Sequence, residues 1–302
     1  MSSPLVRVGL DVGGTSIKVG AVDDNGQVLH RYSSPLDGPR DLEEFLDKMT
    51  ALARGAGVKD ELGVGIAGLV DRDAGRVDVS PNLEAIQGVD LRALLAERLG
   101  LSEAKVVLEN DANTAALGEA RQGAAKGIDN VLVVTLGTGI GGGLVTNGEL
   151  YRGDGGLAGE IGHLVIEPGG HPCGCGSAGC AETLASGRAA ERRAHAAGLP
   201  AEAPGDVGLL CEKARSGDQD ARHLLHEIGR DLGFALAAMI TLLDLRTFVI
   251  GGGFGAALDL LDTGIRSGID RRTFGRESKE IHVLPAKLGS DAGWIGAAYL
   301  PG

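Results

Sequence analysis

No apolar run in this 302-residue chain approaches the roughly 20 residues that a membrane-spanning helix needs. The longest, around Phe234–Leu243 and Val131–Leu136, stop well short. No basic segment followed by an apolar one precedes the first strand pattern at Val6–Leu10, so no signal peptide is expected and the expected compartment is the cytoplasm. Cysteine is scarce. Cys173, Cys175, Cys180 and Cys211 are too few for a disulfide framework, and three of them fall within eight residues, which reads as a metal site. A basic field is missing too. The net charge of −12 argues against nucleic acid or an anionic membrane as partner, although backbone amides and a metal can still hold a compact anion. There is no G-X-Y repeat, which excludes collagen, and no G-x-x-x-x-G-K-[ST], which argues against a P-loop.

What the chain does have is the composition of a globular protein, 43% hydrophobic and 23% charged, at a length that fits two domains. Glycine is abundant, with 51 copies, and it clusters at Gly137–Gly143 and Gly251–Gly255. Clustered glycine marks positive φ or close backbone approach, as phosphate-binding loops require. The first third reads in α/β order. Strand Val6–Leu10 passes through a glycine turn to strand Val19–Val22, and Asp24-Asn25-Gly26 turns the chain toward Gln27–Tyr32. Helical spacing follows at Leu42, Phe45, Leu46, Met49 and Leu52, then a buried strand at Leu62–Ile66. A helical face at Leu91, Leu94, Leu95 and Leu99 leads to a strand at Val106–Leu108 and a helix over Ala112–Ala120. A second pass begins at Val131. The stretch Val133–Val145 repeats the layout of Gly9–Val22: apolar strand, glycine turn carrying a threonine, apolar strand. Later come a long helix at Leu224–Leu243, a strand at Thr247–Ile250, and helices at Ala256–Ile265 and Leu288–Tyr299. Gly198–Gly208 is the most linker-like stretch.

Gly137-Thr-Gly-Ile-Gly-Gly142 matches G-x-G-x-x-G and Gly251-Gly-Gly-Phe-Gly-Ala256 its alanine variant. A dinucleotide fingerprint needs strand, turn, then helix in an early βαβ unit; the first match runs on into a strand and the second comes late. A dehydrogenase is therefore disfavoured. Asp11-Val-Gly13-Gly14-Thr15 resembles the first phosphate loop of the actin and hexokinase superfamily, and Gly137-Thr138-Gly139 its second. Gly251-Gly252-Gly253-Phe254 resembles its adenosine-side loop. The resemblance implies an α/β fold of two actin-like (ribonuclease H-like) domains closing on a nucleotide in the cleft between them. Thr15, Thr138 and the loop amides would hold phosphate, and Asp11 would help to position Mg²⁺. Lys18 would add charge, or stand solvated on its strand.

The cysteine cluster follows Gly159-Glu160-Ile-Gly-His163, as His171-Pro-Cys173-Gly-Cys175-Gly-Ser-Ala-Gly-Cys180-Ala-Glu182. Three thiolates and one imidazole make a closed tetrahedral zinc set, with His163 or His171 as the fourth ligand, and reduced free thiols as the alternative. Cys211 lies apart and reads as a small buried residue. This block is similar to the signature of the ROK family of repressors, open reading frames and sugar kinases, and the resemblance extends in order from the Asp11 loop to Leu288-Gly-Ser-Asp-Ala-Gly-Trp-Ile-Gly296. It implies structural zinc on His163, Cys173, Cys175 and Cys180. That zinc would pin the loop that presents His163 and Glu182 to a sugar.

Glu109-Asn110-Asp111-Ala112-Asn113 sits where a strand opens into a helix. Taken alone, Asn110 and Asp111 are helix caps. The family resemblance makes Asn110 a sugar ligand and Asp111 both a ligand and the base that takes the proton of the attacking hydroxyl. Glu160, His163, Glu182, Gly68 and Asn82 would complete the sugar site, although Glu160 also reads as a hairpin surface charge. The implied reaction is ATP-dependent phosphorylation of glucose at its 6-hydroxyl. Mannose, fructose, allose and N-acetylhexosamines stay open, because Leu83-Glu-Ala-Ile follows Asn82 where many family glucokinases carry a tryptophan. Polyphosphate is a possible donor, but no basic channel accompanies it. A sugar-sensing repressor would need a DNA-binding domain, and ten residues precede Asp11. The expected domains are 1–112 with helix 290–302 packed back on it, and 113–289 carrying the zinc loop; the expected assembly is a homodimer or homotetramer.

Overall fold

The computed structural model describes residues 6–36, 41–80, 83–202 and 204–301. Every residue of Leu62–Ile66 is buried, as is most of Arg7–Val12, which suits parallel neighbours at the middle of a sheet. In chain order the first part of the fold is β1 (Arg7–Val12), β2 (Ser16–Val22), β3 (Val28–Pro35), α1 (Leu42–Gly55), β4 (Leu62–Ile66), β5 (Leu69–Asp71) and β6 (Arg76–Val79). It continues with α2 (Leu91–Leu99), β7 (Val106–Asn110) and α3 (Asp111–Gln122). The sheet order is β3-β2-β1-β4-β7, antiparallel across the first three strands and parallel thereafter. Helix α1 starts where the Asp41 carboxylate accepts the Glu44 N–H at 2.8 Å, and it buries Phe45, Leu46, Met49 and Ala53 in the core.

The second pass repeats this plan with β8 (Val131–Leu136), β9 (Ile140–Thr146), β10 (Glu149–Tyr151), β11 (Thr247–Gly251) and β12 (His282–Pro285), in the order β10-β9-β8-β11-β12. The β9–β10 pair is antiparallel, and β8–β11 and β11–β12 are parallel. Five helices interrupt or follow these strands: α4 (Ala181–Ala185), α5 (Gly187–Ala196), α6 (Gly208–Arg215), α7 (Gln219–Leu243) and α8 (Leu258–Arg272). The last is α9 (Ala292–Ala298). The repeated topology accounts for the repeat seen in the two glycine-turn sequences. In α7 and α8, Gly229, Gly233, Gly264 and Gly268 let the backbones of the two helices touch; a methyl at any of them would overlap the facing helix.

The chain divides into two compact units, one of Met1–Ile128, Gly143–Ala158 and Leu288–Gly302, the other of Asp129–Gly142 and Gly159–Lys287. A boundary at 112/113 would cut helix α3, which lies whole in the first unit. Its Gly118 packs on the Ala292 carbonyl and the Thr114 carbonyl on Gly296, so α3 and α9 are locked by backbone contact. Helix α9 also lies on the sheet, where side-chain-free Gly9 and Gly63 admit its backbone. A methyl at Gly63 would overlap the Ala297 carbonyl, whereas one at Gly55, in α1, would meet nothing. Gly63→Ala is therefore expected to lower unfolding free energy by about 3 kcal/mol, and Gly55→Ala to raise it by up to about 1 kcal/mol. Urea midpoints read the difference, and equal midpoints for the two variants would contradict this packing.

Several elements escape the sequence pattern. The β5–β6 hairpin, β10, β12 and α4 are too short to show a period. The helix expected over Leu288–Tyr299 is a 3-10 turn, Gly289–Asp291, followed by α9, and that expected at Ala256–Ile265 begins at Leu258 and reaches Arg272. Gly198–Gly208 is not a plain linker, since Pro204–Gly208 forms one wall of a cavity. No helix among the described residues is long and apolar enough to cross a membrane.

Candidate active site

In the first unit, the β1–β2 turn carries Gly13, Gly14 and Thr15. The Gly13 N–H donates to the Ser16 carbonyl at 3.0 Å and closes the turn, leaving Gly14 and Thr15 exposed at its tip. Asp11 stands opposite Lys18 in the strand register. Burial pushes the Asp11 carboxyl up, and the nearby Lys18 ammonium opposes that rise. A methyl at Gly293 would come within 2.6 Å of the Asp11 carboxyl, so the second residue of α9 is glycine where the helix covers this group.

Asn110 ends β7 and caps α3: its Oδ1 accepts the Ala112 and Asn113 N–H groups at 2.9 and 3.1 Å. The plain cap reading of Asn110 therefore holds for its oxygen. Its Nδ2 has a separate partner, the Gly68 carbonyl at 3.0 Å, which brings two expected sugar ligands together. Gly68 has φ +144°, and a methyl there would overlap the Val79 carbonyl, so the position demands glycine. Asp111 is the first residue of α3, half-buried, with Oδ1 accepting the Ala112 N–H at 2.9 Å. Asn82 lies outside the described residues.

Beneath this pair is a network that motif reading missed. Glu109 is 4% exposed, and its Oε2 accepts the Arg152 Nε–H at 2.6 Å. Its Oε1 accepts the Asn110 N–H at 3.1 Å and the Asn113 Nδ2–H at 3.0 Å. A buried carboxylate paired to a guanidinium and two amides holds the β7–α3 junction in one geometry. Arg152 is far away in sequence, so only the strand pairing that carries it past β10 could reveal it.

In the second unit, Gly137 and Thr138 line a cavity of about 540 Å³ with Gly253 and Phe254, the Pro204–Gly208 wall, and Cys211 and Arg215 of α6. The two glycine loops expected to share a nucleotide are thus together, in a volume suited to a small ligand. Gly252 does not line the cavity; it has φ +84° and packs on the Leu136 backbone, shaping the β11 exit. Gly139 faces away from the cavity, against Glu182, whose Oε2 accepts the Ile140 N–H at 2.9 Å. Cys211 is buried as expected, but in the cavity wall, and burial pushes its thiol up.

Cys173, Cys175, Cys180 and His163 offer ligand atoms that all lie within 4.8 Å of one another. Cys175 Sγ and Cys180 Sγ are 3.7 Å apart, as are Cys173 Sγ and His163 Nδ1. Neighbouring sulfurs around a tetrahedral metal with bonds of about 2.3 Å stand about 3.8 Å apart, and these two pairs have that spacing. No disulfide joins these cysteines. Burial and the adjacent thiols push Cys180 up to about 12, a state that a divalent cation would reverse. His171 is not in the cluster; its Nδ1 lies 3.0 Å from the Pro172 carbonyl oxygen. Glu160 is half-buried: burial pushes its carboxyl up, the His163 imidazole opposes this, and the Glu182 carboxylate adds to it. The expected sugar partners of this unit therefore share one neighbourhood.

Residues 7–301 match the ROK family. The chain belongs to the ROK family. Like it, a glucokinase of Streptomyces coelicolor aligns along nearly its whole length, 39% identical over 98% of this chain and 97% of that one. Among solved structures it is similar to a ROK hexokinase from Thermus thermophilus, at 35% identity and TM-score 0.83, covering 97% of each chain. It is also similar to a ROK family glucokinase from Streptomyces griseus in complex with glucose and AMPPNP, at 38% identity and TM-score 0.80, covering 98% of this chain and 99% of that one. The doubled five-stranded plan described above is the actin-like two-domain fold of these ROK kinases.

Proposed function

We propose that this ROK chain is an ATP-dependent glucokinase, converting D-glucose and ATP to glucose 6-phosphate and ADP. The observation that carries the reading is the full-length likeness to a glucokinase that holds glucose and AMPPNP together. The site chemistry supports it. Asp111 takes the proton of the 6-hydroxyl, whose oxygen attacks the γ-phosphorus as the bond to the β–γ bridging oxygen breaks; ADP keeps that bridging oxygen. A carboxylate is a modest base, so much of the acceleration comes from alignment and charge neutralisation. Asn110, Glu160, His163 and Glu182 bind sugar hydroxyls, with Gly68 shaping the turn and Asn82 beside it, and an epimer leaves some of these groups unpaired.

Gly13, Gly14, Thr15 and Lys18 of the first glycine turn and Gly137 and Thr138 of the second hold phosphates, with Gly139 setting the shape of that turn. Gly253 borders the adenosine, and Gly252 shapes the β11 exit behind it. Mg²⁺ accompanying ATP, positioned by Asp11, neutralises charge on the transferring phosphoryl group. His163, Cys173, Cys175 and Cys180 would hold a zinc ion with four protein ligands, which would be structural and would order the loop. We place the protein in the cytoplasm, whose reducing state keeps such thiols available, as a homodimer or homotetramer that binds neither nucleic acid nor membrane.

A coupled ADP-release assay across glucose, mannose, fructose, allose and N-acetylhexosamines, each with ATP and with polyphosphate, tests the reading. Glucose with ATP is expected to give the highest kcat/KM. A different hexose turning over well while glucose stays inert would overturn the substrate, and turnover on polyphosphate alone would overturn the donor.

A further inference from the structure

Glu182 stands where the metal loop meets the second glycine turn. Its Oε2 accepts the Ile140 N–H at 2.9 Å, and Ile140 is 4% exposed, an amide that burial obliges to find a partner. A methyl at Gly139 would overlap that same oxygen and would meet no other group, so a side chain there would displace the carboxylate from the Ile140 amide. The rest of the turn is clamped by the residues just beyond. Gly187 N–H donates to the Gly137 carbonyl at 2.8 Å and Arg188 N–H to the Thr138 carbonyl at 3.3 Å. Every one of these clamps lies within 182–188, the segment that begins after Cys180, the residue capping α4.

The other side of Glu182 is the expected sugar neighbourhood. Ala181 N–H donates to the Leu164 carbonyl at 2.9 Å, next to His163, and Gly162 packs on the Ile140 carbonyl. Oε1 of Glu182 has no hydrogen bond among the described residues. One carboxylate therefore serves two purposes: one oxygen fixes the phosphate turn, and the other is left for a hydroxyl.

We propose that Glu182 is a positioning residue for the nucleotide, setting the Gly137–Ile140 turn through the Ile140 amide, so that nucleotide affinity depends on it even with no sugar present. The proposal rests on the kinase reading, in which that turn grips phosphate. Were Glu182 only a sugar ligand, its loss would leave nucleotide binding alone.

The test is calorimetric titration of the full-length, metal-loaded protein with Mg-AMPPNP in the absence of sugar, beside glucose KM. Glu182→Ala is expected to raise the AMPPNP Kd about tenfold, the worth of one hydrogen bond to a charged acceptor. Glu182→Gln keeps an oxygen for the Ile140 N–H and is expected to stay within about threefold of wild type, although its glucose KM rises. Gly139→Ala alone is expected to weaken AMPPNP binding, but in the Glu182→Ala background it should add nothing, because the group it collides with is gone. Unchanged AMPPNP affinity in Glu182→Ala, or full additivity of the double variant, overturns the proposal. Wild-type protein that binds no AMPPNP overturns the kinase reading instead, so the two failures are distinct.

Discussion

Replacing Asp111 by alanine is expected to lower kcat by about two to four orders of magnitude, the usual worth of a general base, while glucose binding changes only a few-fold. The separation is expected because the framework beneath Asp111 does not depend on it. Asn110 caps α3, Glu109 holds Asn110 and Asn113, and Arg152 neutralises Glu109. Asp111 contributes an acidic group in the first helical turn and a contact to the Ala112 amide, whose loss costs stability of about 1 kcal/mol. The variant should therefore fold, which a urea titration checks. Asp111→Asn should be about as slow, since it keeps the shape and loses the basicity. An alanine variant within tenfold of the wild-type rate would remove Asp111 from proton transfer and leave it a helix-end residue.

Loss of the metal should be nearly as damaging. Metal analysis of purified protein is expected to return about one zinc per chain, and Cys180→Ala is expected to lose it and to lower kcat/KM for glucose about a hundredfold or more, roughly 2.7 kcal/mol or more of transition-state binding. The reason is how little else orders the loop. Among the described residues it is tied by isolated backbone hydrogen bonds such as Ile166 N–H to the Gly179 carbonyl, at 2.9 Å, and Cys173 N–H to the Ser177 carbonyl, at 2.8 Å. Only Ile161 and Ile166 among its large apolar side chains are buried. With zinc bound as proposed, such a loop would rely on the metal for most of its folding free energy. It carries Glu160 and His163 and runs into Glu182, so the proposed sugar partners would lose position together. A metal-free Cys180→Ala protein with wild-type kcat/KM would show that the four residues are reduced thiols and a histidine with no structural task.

Much of this was legible in advance, for local reasons. The strands flanking each glycine turn, the capped start of α3 at Asn110 and the three clustered cysteines are features of neighbouring residues, so period, turn chemistry and spacing disclose them. Choosing His163 over His171 was not local. Spacing allows either, and it is the 3.7 Å approach of the His163 ring to Cys173 Sγ that decides. The wall formed by Pro204–Gly208 looked like linker because glycine and proline mark a tight surface turn and a cavity wall alike.

By itself the sequence determined the two-pass α/β plan, both glycine turns, the clustering of Cys173, Cys175 and Cys180, and the placing of Asn110 and Asp111 at a strand–helix junction. The tertiary structure alone decided that Arg152 neutralises Glu109, that α9 returns to the first sheet over Gly9 and Gly63, and that Glu182 supports the turn at Ile140. The physical reason is common to all three. Each is a contact between segments distant along the chain, made by groups whose chemistry is ordinary until burial removes water as the alternative partner.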